Sequence, residues 1–256
     1  MRNDWYIKAG KDFLAFSLLA IGSIHILTGN FPTGLLPVPE SFPLRTIFVY
    51  VTGSAMIIAA VLLMLRRYAG AYIAGITFLL LLASFHIPTL IKNPNDPNAW
   101  TGTFEILSLF SGMLLLAGIF LPGELHKKWK IGNSAGLLMT GRYLFAVALV
   151  VFGVQHYIYK QFLLGLIPSW IPAKDFFEGV VLVAFFAVAL AIFVQQVERI
   201  AAALLAFMFF CWFWILHVPR VIERPRVEAE WTSMFIVMAM CGISLLVMGT
   251  ARYGKE

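Results

Sequence analysis

Four histidines occupy places where an imidazole can do chemistry in an otherwise apolar chain. His86 lies in Ala83-Ser-Phe-His-Ile-Pro88 and His217 in Trp214-Ile-Leu-His-Val-Pro219, 131 residues apart, and the same shift carries His25 onto His156. A neutral imidazole offers one N–H donor and one lone pair, changes charge near pH 7 and ligates metals. Three chemistries are open to these residues. The first is structural: hydrogen bonds to one another, to backbone carbonyls released near the prolines, or to Glu105, Gln155 and Glu178. The second is contact with a quinone head group or ligation of a haem iron through a neutral nitrogen. The third, divalent metal ligation, lacks an Asp, Glu or Cys at the His-x-Pro helix end to complete a coordination sphere.

The 131-residue shift extends well beyond the histidines. It also pairs Gly22 with Gly153, Phe31 with Phe162, Pro37 with Pro168, Pro94 with Pro225, Trp100 with Trp231 and Gly118 with Gly249. Recurrence at one fixed distance marks an internal duplication. Residues 1–122 form the first unit, 123–139 a cytoplasmic linker and 140–256 the second unit.

The elements that position these residues are set by composition. Of 256 residues, 61% are hydrophobic and 12% charged, too few charges to solvate a soluble domain of this size. Apolar runs long enough to cross a hydrocarbon core of about 30 Å as helix occur near 12–28, 45–65, 69–90, 102–121, 140–159, 176–195, 199–218 and 231–249. A count of seven would drop the run at 45–65. Unbroken apolarity fits helices rather than alternating barrel strands, because lipid leaves backbone polar groups no external partner. The expected fold is therefore an all-α membrane protein of eight transmembrane helices, built as two parallel four-helix repeats.

An even number of spans per repeat gives both repeats one orientation and relates them by an axis along the membrane normal. Of the 19 Lys and Arg residues, twelve fall on the side of the termini and seven on the other. The positive-inside rule then predicts both termini in the cytoplasm, with the first span retained as an anchor. The net charge of +6 is a topology signal and gives no reason to invoke nucleic acid. All four histidines fall on the outer side. Either His25 and His86 meet within one repeat, or all four cluster at the pseudo-twofold axis.

Local signals refine this picture. Prolines 32, 37, 39 and 43 forbid a continuous helix through 30–43, an external connection expected to dip into the interface, as is 165–174 with Trp170 at head-group depth. The third span is expected to stop at Pro88, placing His86 within a turn of the boundary. Small residues at Gly70, Ala71, Ala74 and Gly75 predict a tight pair of spans two and three. His126 has no counterpart and reads as a solvated linker residue. Arg220, Arg224 and Arg226 with Glu223, Glu228 and Glu230 read as a solvated external loop, or as a docking surface for an external partner domain. Cys211 and Cys241 read as small buried hydrophobes.

The stretches Phe152-Gly-Val-Gln-His156, Ile167-Pro-Ser-Trp-Ile-Pro172, Arg199-Ile-Ala-Ala-Ala-Leu-Leu-Ala-Phe-Met-Phe209, His217-Val-Pro-Arg-Val221 and Trp231 resemble the DoxX-like four-helix membrane proteins. The first half matches more loosely, with Pro39 in place of Trp170. A Glu common in that family before the first histidine is Ile24 here, and Gln155 in the second half. The resemblance implies two DoxX-like units in tandem in an inner membrane, in a family sometimes linked to thiosulfate:quinone oxidoreductase or thiol-redox complexes. The reading that follows is a component of a redox or quinone-linked system in the lipid bilayer. His25, His86, His156 and His217 line its outer-side ligand, cofactor or proton site, with quinone or haem as candidate cofactors and an external redox protein as candidate partner. The alternative is a non-enzymatic scaffold or small-molecule carrier in which the histidines are structural.

Overall fold

A computed structural model describes residues 5–32, 34–120 and 134–251. Among them eight helices are long and apolar enough to cross a membrane: span one Trp5–Thr28, span two Arg45–Met64, span three Ala69–Lys92, span four Pro97–Phe120, span five Ser134–Ile158, span six Lys174–Val194, span seven Glu198–Glu223 and span eight Glu228–Thr250. Span two, the one a count of seven would omit, is a continuous helix of 20 residues. Span five begins at Ser134, inside the stretch expected as linker. The rest of that linker, with His126, lies outside the described residues. A short helix, Lys160–Leu166, joins spans five and six.

Each span packs against its neighbours in sequence, span eight returns to span one, and spans four and eight meet across the middle. The closed loop of eight helices is thereby pinched into two halves. The first span of each repeat leans on the fourth span of the other. Close approach makes this possible: a Cβ on Gly10 would stand 2.7 Å from the Gly242 carbonyl oxygen, and one on Gly242 2.8 Å from the Gly10 oxygen. The equivalent contact 131 residues on sets Gly141 against the Ser111 carbonyl, where a Cβ would stand 2.9 Å away. In lipid, where apolar side chains gain nothing by leaving the bilayer, such backbone proximity is what holds helices together. Gly112 and Ile243, themselves 131 apart, touch each other, with a Cβ on Gly112 falling 2.9 Å from Ile243 Cγ1. The pseudo-twofold axis passes between them.

The duplication reaches atomic detail. Trp100 Nε1 donates to the Pro94 carbonyl at 2.8 Å and Trp231 Nε1 to the Pro225 carbonyl at 2.9 Å. Helix turns of π type occupy Leu82–His86 and Phe213–His217, again 131 apart. Proline explains them. Pro88 and Pro219 have no N–H to give a carbonyl four residues back, and their rings crowd that carbonyl. Widening the preceding turn, so that Ile87 N–H reaches Leu82 O and Val218 N–H reaches Phe213 O, absorbs the fault without ending the helix. Span three therefore continues through Pro88 to Lys92, against the expected stop. His86 sits six residues, about 9 Å at helical rise, before the helix end.

The polar connections differ between the repeats. In the first, the proline-rich segment turns inward and buries Phe31, Leu35, Leu36 and Val38 in the core. In the second, the short helix takes its place, Ile167 and Ile171 are buried, and Trp170 remains 64% exposed.

Candidate functional site

Contacts between span ends fix which groups share a membrane face. Gln155, near the end of span five, donates to Pro97 O at 3.1 Å and to Thr101 Oγ1 at 2.9 Å at the start of span four. At the opposite face Lys11 reaches Leu63 O at 3.1 Å, Arg142 reaches Thr250 O at 3.0 Å, and Arg199 reaches Tyr6 Oη at 3.1 Å. Ends of odd spans and starts of even spans thus lie together, and His25, His86, His156 and His217 all lie toward that one face.

Within that face they form four separate stations. His25 is 0% exposed in span one. Its Nδ1 pairs with Ile21 O at 2.8 Å, its ring meets Phe31 edge-on at 5.8 Å, and Nε2 has no partner. Glu228, at the start of span eight, is near enough to act on it through space. His86, 1% exposed at the end of the first π turn, has neither ring nitrogen paired. Its Cε1 lies beside Gly102, where the Gly34 and Leu35 carbonyls of the inward-turned segment also converge. His217, half-buried at the end of the second π turn, has an unpaired Nδ1 and feels Arg220 and Glu230.

Among the described residues, His156 is the one histidine bonded to a carboxylate. Its Nδ1 stands 3.2 Å from Glu178 Oε1, with the His side chain 23% exposed and the Glu side chain 2%. Phe185 closes over the imidazole edge at 5.2 Å. A carboxylate on one ring nitrogen fixes tautomer and orientation and leaves Nε2 as the working atom.

Neither expected grouping forms. No hydrogen bond or ring contact joins any two of the four histidines among the described residues, and the axis is filled by Gly112 and Ile243. Among the described residues no three His, Cys, Asp or Glu side chains gather as a metal-binding group. Of the three suggested partners, Glu178 binds His156 and Gln155 ties span five to span four. Glu105 is half-buried and bonds to no histidine.

Two groupings exceed the sequence reading. Glu230, expected in a solvated loop, is buried in span eight and held by Arg220 through Nε at 2.8 Å and Nη2 at 3.0 Å, with Arg224 at 3.6 Å. A forked pair of this kind is oriented as well as neutralised. Lys11 and Arg142, counted only as topology charges, are both buried and stand 131 residues apart. Lys11 pairs with Asp12, and Arg142 lies 3.4 Å from Glu198. The signal for this pair was present in the repeat. At the histidine face, Asp175 sits 2.8 Å from Lys160 and holds its ammonium pKa above the ordinary value. That exposed pair pins the short helix to span six.

Fold and site together define an α-helical, multi-pass membrane protein with an internal twofold repeat and imidazoles gathered toward one face. No family model, no curated protein and no solved structure matches the chain.

Proposed function

We propose that this protein is a component of a redox or quinone-linked membrane system, with its histidine-bearing face outward and both termini in the cytoplasm of a bacterial-type inner membrane. One observation carries the reading. Three imidazoles inside membrane spans keep buried ring nitrogens without a protein partner, namely His25 Nε2, both nitrogens of His86, and His217 Nδ1. Buried polar atoms are nearly always paired, and each exception calls for a reason. A ligand that supplies carbonyl or hydroxyl groups is such a reason, and a quinone head does so. The His156–Glu178 pair adds a group able to take up or release a proton beside such a head. The resemblance of the second half to DoxX-like units fits the same reading.

Haem suits the first repeat poorly. Phe31 packs edge-on against His25 at 5.8 Å, and the Gly34 and Leu35 carbonyls converge with His86 Cε1 on Gly102, so protein atoms already occupy one side of each imidazole. The test is saturable binding of a ubiquinone analogue to purified protein, followed by quenching of its tryptophans, together with a visible spectrum after haem-replete expression. Saturable quenching in the micromolar range with no Soret band is expected. Absence of saturable binding overturns the quinone reading.

A further inference from the structure

The two repeats differ between their second and third spans. In the first repeat spans two and three are packed shut. A Cβ on Gly70 would stand 2.5 Å from the Ala59 carbonyl oxygen and 2.9 Å from Leu63 Cγ, so only glycine permits the approach. The residue 131 positions on is Ala201. Its methyl group cannot enter such a contact, and spans six and seven stand apart around a crevice of about 670 Å³. Trp170, Phe177, Ala184, Ala201, Cys211 and Ile215 are among its walls. Ala201 to Ile215 covers about 21 Å of span seven at helical rise, or roughly two-thirds of a 30 Å hydrocarbon core.

The walls are almost wholly apolar, and the crevice opens toward lipid. At the histidine-face end the wall residue Val181 lies one helical turn from Glu178. The upper end therefore adjoins the His156–Glu178 pair. A buried carboxylate there disfavours an anionic phosphate head, whereas a neutral carbonyl or hydroxyl head meets a partly exposed imidazole whose Nδ1 is already held. The corresponding space in the first repeat is shut below by Gly70 and plugged above by Phe42, whose ring meets Phe48 of span two at 5.2 Å and Phe85 of span three at 5.1 Å.

We infer that the second repeat is the ligand-binding half, and that the crevice between spans six and seven, held open by Ala201, admits from the bilayer the long apolar tail of a neutral-headed quinone whose head rests at His156. This rests on the quinone-linked reading above and assigns the bound quinone to the second repeat, where His217 Nδ1 is the unpaired buried nitrogen; the enclosed nitrogens of His25 and His86 are then left without a ligand.

The test uses the full chain in lipid nanodiscs. The probes are a long-tailed ubiquinone bearing a photoreactive diazirine at the tail end, and an isoprenoid hydrocarbon of the same length and label without the head. Cross-links of the quinone probe are expected in residues 177–188 and 201–215. They should fall at least tenfold in Ala187→Trp, which puts bulk into the crevice from an exposed position, and similarly in Ala184→Phe, each checked for an unchanged elution profile. His156→Leu is expected to weaken binding of the quinone probe at least tenfold while leaving labelling by the headless probe unchanged. Saturable quinone binding with cross-links in the first repeat, or cross-links indifferent to both crevice variants, overturns the crevice assignment and leaves the quinone reading standing. Labelling identical for the two probes, without saturation, overturns both.

Discussion

Replacing His86 by Leu and His156 by Leu should move stability in opposite directions, because one imidazole is buried without a partner and the other holds a buried carboxylate. His86 is enclosed with neither ring nitrogen bonded. Each unpaired buried polar group costs about 1–3 kcal/mol, so a leucine of similar volume removes roughly 2 kcal/mol of penalty at the low end of that range and breaks no bond. Where a water already reaches the ring the gain shrinks toward zero. For a chain of this size, 1 kcal/mol moves Tm by about 2–4 °C. Ligand-free His86→Leu should melt between the parent temperature and about 8 °C above it. His156→Leu removes the partner of a carboxylate that is 2% exposed. Leaving that group alone costs about 1–3 kcal/mol, a fall of roughly 2–12 °C. The double variant His156→Leu with Glu178→Leu should recover much of the loss, because both halves of the pair are gone. The assay is thermal unfolding by intrinsic fluorescence in one detergent, without added quinone. A fall in Tm for His86→Leu as large as that for His156→Leu would refute the reasoning, since it would make His86 a staple of the bundle.

Gly242→Ala should cost about 1–3 kcal/mol through overpacking, because its methyl would stand 2.8 Å from the Gly10 carbonyl oxygen; a lowered Tm checks this. Gly70→Ala should lower Tm by a similar amount, whereas Ala201→Gly, which faces a crevice, should change it by less than about 1 kcal/mol plus helix propensity. Arg220→Lys keeps the charge but loses the forked contact to Glu230, so it should destabilise by about 1–2 kcal/mol, read by the same melting assay. A reporter fused at the C-terminus should be active only as a cytoplasmic enzyme; an external signal reverses the orientation.

Helix number and repeat register were legible because both rest on residues visible one at a time. Eight apolar runs must be helical in lipid, and pairs such as His86 and His217 or Trp100 and Trp231 give the shift directly. The stop at Pro88 was misjudged because steric rules for proline describe the clash and not its relief. A π turn can absorb the lost bond, and nothing in Leu82-Ala-Ser-Phe-His86 distinguishes that outcome from a helix end. Glu230 was placed in a solvated loop because charge density alone cannot say that span eight starts at Glu228 and turns one carboxylate inward. The exchange of partners, span one on span eight and span five on span four, was illegible for a different reason. Identical repeats offer identical faces, so only the three-dimensional approach of Gly10 to Gly242 tells which copy of a face is used.

The halves differ at positions where stability alone gives no reason for a difference. At four duplicated positions the first repeat carries Ile24, Ile47, Thr89 and Ala99, and the second carries Gln155, Glu178, Arg220 and Glu230. The first set is apolar or small and costs little to bury. The second places an amide and three charged groups at the histidine face of the bundle, each needing partners: Gln155 on span four, Glu178 on His156, and Arg220 on Glu230. A buried ion pair is no more stable than the apolar residues it replaces, so these groups are not there to hold the repeat together. The same half carries Ala201 where its sister has the closing Gly70, and lacks the inward segment of the first repeat. Polar groups and open space appear together in the second repeat and are missing together from the first, where His25 and His86 stay walled in. Stability alone would favour keeping both halves closed, and a ligand taken by the second half, as proposed above, accounts for the coincidence.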